Sequence, residues 1–355
     1  MTVYHLGCTG ASMSDIVSQG WNNRTSQLEL MESVENGTST NTSNPVSPSS
    51  NSHVQAPEPE AEANQGPGWG TLSIGGNDVG FADIVADCIM FDRPACSSHL
   101  NYTESLLSSP FLLHQLIDTY TQILKTARNP DFKLVVTSYS RFFNEKTEIC
   151  DNKYIFYGRY LTREFRRRIN NMVTDLNLVI KIAVSIVQLN LIFNNDTKMI
   201  FFEDWDVLLE GHRFCELDEK GGPALWGDAW FFTIYGEDLL PAPDPDPGKN
   251  GSVISNGQEL GGGGMVDLHE LAEEDCDRGI MVGMSKVERR EREALCEWKR
   301  NLEKGWEPAL DGTGDGKVGT RVYPWWITKT MHPKSVAHWE LGKVIYKRWI
   351  EGEYF

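Results

Sequence analysis

Asn77 stands behind two glycines in the stretch TLSIGGNDVGF, residues 71–81, directly after a short apolar run. Glycine lets a backbone turn sharply where a strand ends, and an asparagine there can aim its side-chain NH2 into a cleft as a donor. A donor so placed could stabilise an oxyanion during acyl transfer. Gly-Gly-Asn-Asp is also a good turn and nothing more, so its surroundings must decide between the two. No Gly-x-Ser-x-Gly nucleophile elbow occurs in the chain. The segment DGTGDGK, residues 311–317, spaces Asp311, Thr313, Asp315 and Gly316 like the start of a calcium loop. Its twelfth position is Val322 where a bidentate glutamate is needed, so it reads as a glycine-rich turn and no metal is expected.

The elements around Asn77 alternate in type. Runs rich in β-branched and aromatic residues, TLSI (71–74), KLVVTS (133–138) and MIFFED (199–204), read as strands, and long segments of helical spacing separate them. In one of those segments Ile169, Met172, Val173, Leu176, Ile180, Ala183 and Val187 fall on one helical face. Strands without in/out alternation, divided by helices, imply a parallel sheet covered on both sides. In such folds ligands bind at the carboxyl ends of the strands, which is where Gly75, Gly76, Asn77 and Asp78 would sit.

A chain of 355 residues with 40% hydrophobic content can bury a substantial core, and a formal charge of −17 disfavours nucleic acid or an anionic membrane as partner. The most apolar segment, residues 176–193, is interrupted by Asn177, Lys181, Ser185, Gln188 and Asn190 and reads as a buried helix, not a membrane span. The first residues, MTVYHLGC, have neither the basic start nor the apolar run of a signal peptide. Seven cysteines and six Asn-x-Ser/Thr sequons, at Asn23, Asn36, Asn41, Asn101, Asn195 and Asn250, nonetheless point to secretion. Residues 34–68 are Ser, Thr, Asn, Pro and Glu with almost nothing to bury, a disordered insertion. Residues 241–320 combine a Pro/Gly-rich loop with a charged, helix-prone stretch, a second excursion. The expected organisation is therefore a core interrupted twice: 1–33, then 69–240, then 321–355.

TLSIGGNDVGFADIV, followed by Cys88, resembles the third conserved block of the SGNH (GDSL) hydrolases, especially their secreted, disulfide-containing microbial lipases and esterases. By that resemblance Asn77 is an oxyanion donor and Gly75 and Gly76 shape its turn. HLGCTGASMSDIV near the start is similar to the second block, which offers the backbone N–H of Gly10 as another donor. RYLTREFRRRINNMVTDLN, LEGHRFCE (209–216) and AWFF (229–232) look like stretches of the same branch. MHPKSVAHWELGKVI is similar to the block that holds the catalytic histidine, which carries the general-base role to His332 and leaves His338 structural. The resemblance implies a flavodoxin-like three-layer α/β/α sandwich, an acyl-ester substrate, lipid or small molecule, no cofactor, and disulfides Cys88–Cys96 and Cys150–Cys215. Cys8, Cys276 and Cys296 are left without an assigned pairing.

Two departures qualify the resemblance. Three residues before the histidine many relatives place an aspartate; this chain has Lys329, and no acid lies between Thr320 and Trp339. Some members of the branch use a main-chain carbonyl instead, and the resemblance implies that of Lys329 as the group orienting the imidazole. The family's Gly-Asp-Ser block, whose serine is the nucleophile, occurs nowhere in the 355 residues, and Ser12 and Ser14 merely follow the second block. TVYHLG would be the second strand of the fold and would have lost its neighbour, the first. The missing nucleophile, strand and signal peptide, with Cys8 unpartnered, are expected to share one cause, an N-terminal truncation of a secreted Ser-His hydrolase. The competing expectation is an inactive domain of the same fold that binds an acylated or glycan ligand.

Overall fold

The computed structural model describes residues 12–17, 67–90, 93–151, 160–217, 223–224, 229–232 and 331–354. Gly10, the strand expected at TVYHLG, nearly all of the insertion 34–68, the whole of 241–320, Lys329, Cys8, Cys276, Cys296, and Trp325 with Trp326 lie outside them.

A short helix α1 (Met13–Val17) precedes strand β1 (Trp69–Leu72). After β1 the chain turns through Gly75–Gly80 into α2 (Phe81–Ile84), which continues as a π-helical turn over Val85–Met90. Helices α3 (Cys96–Leu107) and α4 (Pro110–Thr126) lead to β2 (Lys133–Thr137), α5 (Arg163–Phe193) to β3 (Met199–Glu203), and α6 (Ser335–Ile350) closes the chain. Local chemistry sets these limits. Ser109 caps α4 by accepting the Phe111 amide, with Pro110 at the first helical position, and Thr162 caps α5 by accepting the amide of Phe165.

The three strands form one parallel sheet in the order β1-β2-β3, with Thr71 opposite Val135 and Val135 opposite Phe201. β1 begins and ends two residues earlier than its apolar run suggests. Lys133 donates to the Gly68 carbonyl, so the ladder starts at Trp69, and the turn ahead already claims the chain beyond Leu72. Alternate strand residues meet different helices. The Phe201 ring and Glu203 carboxylate reach Tyr354 beyond the end of α6, and Trp69 stacks on Trp349 of α6, whereas the Phe202 ring lies under Lys181 of α5. Both faces are therefore covered, one by α6 and the other by α5, which packs in turn on α4 and α3. This is the expected three-layer α/β arrangement.

The seven apolar residues read as one face of α5 are all buried. The expectation of a wholly buried helix needs correction, because Leu178, Ile182, Leu189, Ile192 and Phe193 are exposed on its other side. Geometry gives the reason. Thirty-one helical residues run about 46 Å, while a five-residue strand runs about 17 Å, so α5 overhangs the sheet it covers. By length and composition alone α5 could cross a membrane, but its inner face lies against β3 and α4.

Candidate active site

The Asn77 turn is built by its backbone. Val79 donates to the Gly75 carbonyl, Gly80 to that of Asn77 and Phe81 to that of Gly76. Gly75 sits at φ 114°, outside the range of any residue with a Cβ. Gly76 is required for a different reason: a Cβ there would stand 3.0 Å from the ring of Tyr139. That ring holds the turn in place, because the Gly76 amide donates to the Tyr139 hydroxyl at 2.9 Å. Tyr139 is fixed in turn by Asn177 of α5, whose side chain accepts from the Tyr139 amide and donates to its carbonyl, both at 2.7 Å. Asn77 itself is exposed at the carboxyl end of the sheet.

Asp78 does a further job. Its Oδ1 accepts the amide of Met13 at 3.0 Å, tying the start of α1 to the turn across 65 positions of sequence. Ser12 and Ser14 flank that amide, their hydroxyls 2.9 Å apart. Burial raises the Tyr139 phenol above its ordinary value, the Gly76 and Ser73 hydrogen bonds oppose that rise, and the Asp78 charge adds to it. Tyr120 is raised by its own burial first, then by Tyr139 and Asp78. Both phenols therefore stay neutral beside the turn.

His332 lies exposed on the segment Met331–Lys334, which is laced to residues 230–232. The Met331 amide donates to the Phe232 carbonyl, the Phe232 amide to the His332 carbonyl and the Lys334 amide to the Trp230 carbonyl. Met331, immediately before His332, is held at φ 67°, a left-handed conformation that costs an ordinary residue about 1–2 kcal/mol. Residues 230–232 are joined to the loop after β3, since Trp230 donates to the His212 carbonyl and its indole stacks on the His212 ring at 3.9 Å. His338 stacks on Trp205 at 6.0 Å.

An aromatic wall connects the two halves. Phe81, four residues after Asn77, meets Phe142 edge-on at 6.4 Å; Phe142 meets Phe231 at 5.6 Å; Phe231 forms a β-bridge with Pro333, next to His332. The Asn77 turn and the His332 segment therefore reach the same end of the sheet through three consecutive contacts. Two disulfides brace that end. Cys88–Cys96 ties the π-helical turn to α3, and Cys150–Cys215 joins the loops after β2 and β3, with Cα separations of 4.8 and 5.7 Å; these are the pairs the resemblance implies. Phe143 borders a small cavity of about 60 Å³ whose other walls are polar, among them Arg141, Lys146, Glu210 and Arg213. Among the described residues no three His, Cys, Asp or Glu side chains are grouped to hold a metal.

Sequence reasoning did not find Tyr139, and it placed Asp78 on the turn without foreseeing its bond to Met13. Asn177 did leave a signal as a polar residue beside Leu176 in an otherwise apolar helical stretch, where a buried amide must have a partner.

A parallel α/β sandwich with an asparagine turn and a histidine segment at the carboxyl end of its strands defines a class, and the SGNH hydrolases are the family whose motifs this chain resembles. No protein-family model matches the chain. It is 35% identical over 165 residues to Lipase 1 of Streptomyces coelicolor, a match that covers 46% of this chain and 52% of that protein. The chain thus spans about half the length of the curated relative it matches. Two solved structures show a weaker likeness, each at a TM-score of 0.36. A phospholipase A1 from Streptomyces albidoflavus NA297 is 24% identical and matches over 49% of this chain and 61% of its own. An extracellular lipase from Streptomyces rimosus is 23% identical, over 48% and 59%. The lipase of Streptomyces coelicolor agrees with the resemblance read from the motifs.

Proposed function

We propose that this chain supplies the oxyanion donors and the general base of a secreted serine ester hydrolase acting on acyl esters, lipid esters among them. The observation that carries the reading is the convergence of the Asn77 turn and the His332 segment, through the Phe81–Phe142–Phe231–Pro333 contacts, at one end of a parallel sheet. In the proposed reaction His332 takes the proton of a serine hydroxyl as it attacks the ester carbonyl. Asn77 and the Gly10 amide hold the oxyanion, and the imidazolium returns the proton to the departing alcohol. Water then releases the acid by the same steps in reverse roles. The carbonyl of Lys329 keeps the Nδ1–H of His332 oriented. Residues 1–33, 69–240 and 321–355 form one domain in this reading. The two disulfides and the sequons suit an oxidising, secretory route.

A second reading has its own support: no Gly-Asp-Ser occurs in the sequence, which favours a domain of this fold that binds an acylated or glycan ligand without turnover. Fluorophosphonate labelling of the native protein from its producing cells, with peptide mapping of the labelled serine, separates the two. The hydrolase reading expects one labelled serine, loss of labelling in His332→Ala, and a drop in kcat of roughly 10²–10³ with little change in KM for Asn77→Ala. Absence of label from folded protein, with a ligand-dependent rise in Tm, would establish the binding domain instead.

A further inference from the structure

The outer side of α5 carries five exposed apolar residues at Leu178, Ile182, Leu189, Ile192 and Phe193, spaced so that they share one face. Phe193 is 78% exposed and Ile192 58%. Ser185 interrupts this face between Ile182 and Leu189, and the group at the helix end, Leu189, Ile192 and Phe193, is the kind of exposed apolar surface that is normally covered by something. The helix ends beside it in a turn. Asn194 caps the helix, Asn195 takes a left-handed φ of 53°, and the sequon Asn195–Asp196–Thr197 is exposed at all three positions. The turn is firmly tied: Asn195 donates its amide to the Ile192 carbonyl, Asp196 donates to that of Leu191, and the Thr197 hydroxyl donates to that of Pro130. The side chain of Asn195 takes no part in those bonds.

The other sequon among the described residues is differently placed. Asn101 lies within α3, its side-chain oxygen accepts from Arg168 at 2.9 Å, and its Thr103 is buried with the hydroxyl donating to the Val79 carbonyl. A substituent on Asn101 would disturb that contact, whereas Asn195 is exposed beside the end of the apolar stripe. Leu189 stands six residues earlier, about 9 Å along the helix, within reach of the first sugars.

We propose that Asn195 carries an N-linked glycan whose inner sugars lie over the apolar stripe at the end of α5 and shield it from water. The Asn195 Nδ2 bonds to the anomeric carbon of a lipid-linked oligosaccharide; the lipid pyrophosphate departs with the bonding electrons and the amide proton passes to the transferase. Pyranose rings suit this place because their C–H faces pack on aliphatic and aromatic carbon while their hydroxyls face water. The net charge of −17 disfavours an anionic lipid surface as the cover. The inference rests on the proposed secretory route and is independent of the esterase reading.

The test is the full chain secreted from a glycosylating eukaryotic host, with every sequon-bearing peptide mapped by mass spectrometry, and no activity is measured. The expected result is an occupied Asn195, one glycan lost in Thr197→Ala and regained in Thr197→Ser, which keeps both the sequon and a hydroxyl for Pro130. Loss of that glycan, by Thr197→Ala or by endoglycosidase, should raise hydrophobic-dye binding several-fold, and adding Phe193→Glu should reverse the rise. An unmodified Asn195 in a protein glycosylated at other sequons would overturn the proposal. So would dye binding indifferent to the glycan. A glycosylated protein that forms a dimer split by Phe193→Glu, or that binds phosphatidylcholine vesicles through the stripe, would assign the face to a second copy or to lipid instead.

Discussion

Gly76 shows how narrow the tolerance is around the Asn77 turn. Its amide is satisfied only by the Tyr139 hydroxyl, and its missing Cβ is what lets the ring approach. Gly76→Ala should therefore cost about 1–3 kcal/mol by forcing ring and backbone apart, read as a lower denaturant midpoint with an unchanged m-value. Tyr139→Phe keeps the ring and strands the buried Gly76 amide, a loss of about 1–3 kcal/mol. An Ala at position 76 that leaves stability untouched would show that the turn is not clamped in solution. None of this was legible beforehand, since Gly76 and Tyr139 are 63 positions apart and a glycine pair reads the same whether it answers to a neighbour or to a turn. The oxyanion role proposed for Asn77 rests on its surroundings, because four letters of turn sequence carry no direction in space.

The helices and strands were legible to the extent that burial has a period. β2 and β3 fall where their apolar runs place them, because strands covered on both faces need apolar residues at every position. The inner face of α5 followed from spacing, but its outer face did not: an apolar residue at a given angle says nothing about what lies opposite, and α5 outruns its sheet. The same helix holds a group that spacing alone does not explain, Arg166, fully buried in its first turns. Its guanidinium donates to the carbonyls of Leu161, Asn144 and Thr147 and pairs with Asp151 at 2.6 Å, beside the Cys150–Cys215 bond. Arg166→Leu should destabilise by about 3–5 kcal/mol in urea unfolding, because it leaves three carbonyls without their donor and Asp151 with Arg163 alone. Arg166→Lys should recover little of this, since an ammonium cannot span the same fork of acceptors. Reduction of Cys150–Cys215, which closes a loop of 65 residues, should lower stability by about 4 kcal/mol on chain-entropy grounds, more than reduction of the short Cys88–Cys96 loop.

At the scale of the molecule, three phenols among the described residues set an alkaline limit. Tyr120, Tyr139 and Tyr354 all lie above the ordinary tyrosine value, each chiefly through burial, with the bonded Glu203 carboxylate adding to the rise at Tyr354. A phenol raised in the folded state favours folding fully below its unfolded value, and that contribution is lost as pH climbs beyond it. Tm should therefore fall from about pH 10 upward, in step with tyrosinate absorbance, and fall less steeply in Tyr354→Phe. A flat profile through that range would contradict the burial of these rings. The sheet also fixes an order of events. Trp69 pairs with Lys133 and Lys133 with Met199, so each strand contact joins residues more than sixty positions apart. Helices form within about a microsecond, whereas such distant pairings delay folding toward milliseconds or seconds. During that interval α5 carries apolar residues on both sides with no sheet beneath it, and refolding yield should decline as protein concentration rises, a race between intramolecular docking and encounter with another chain.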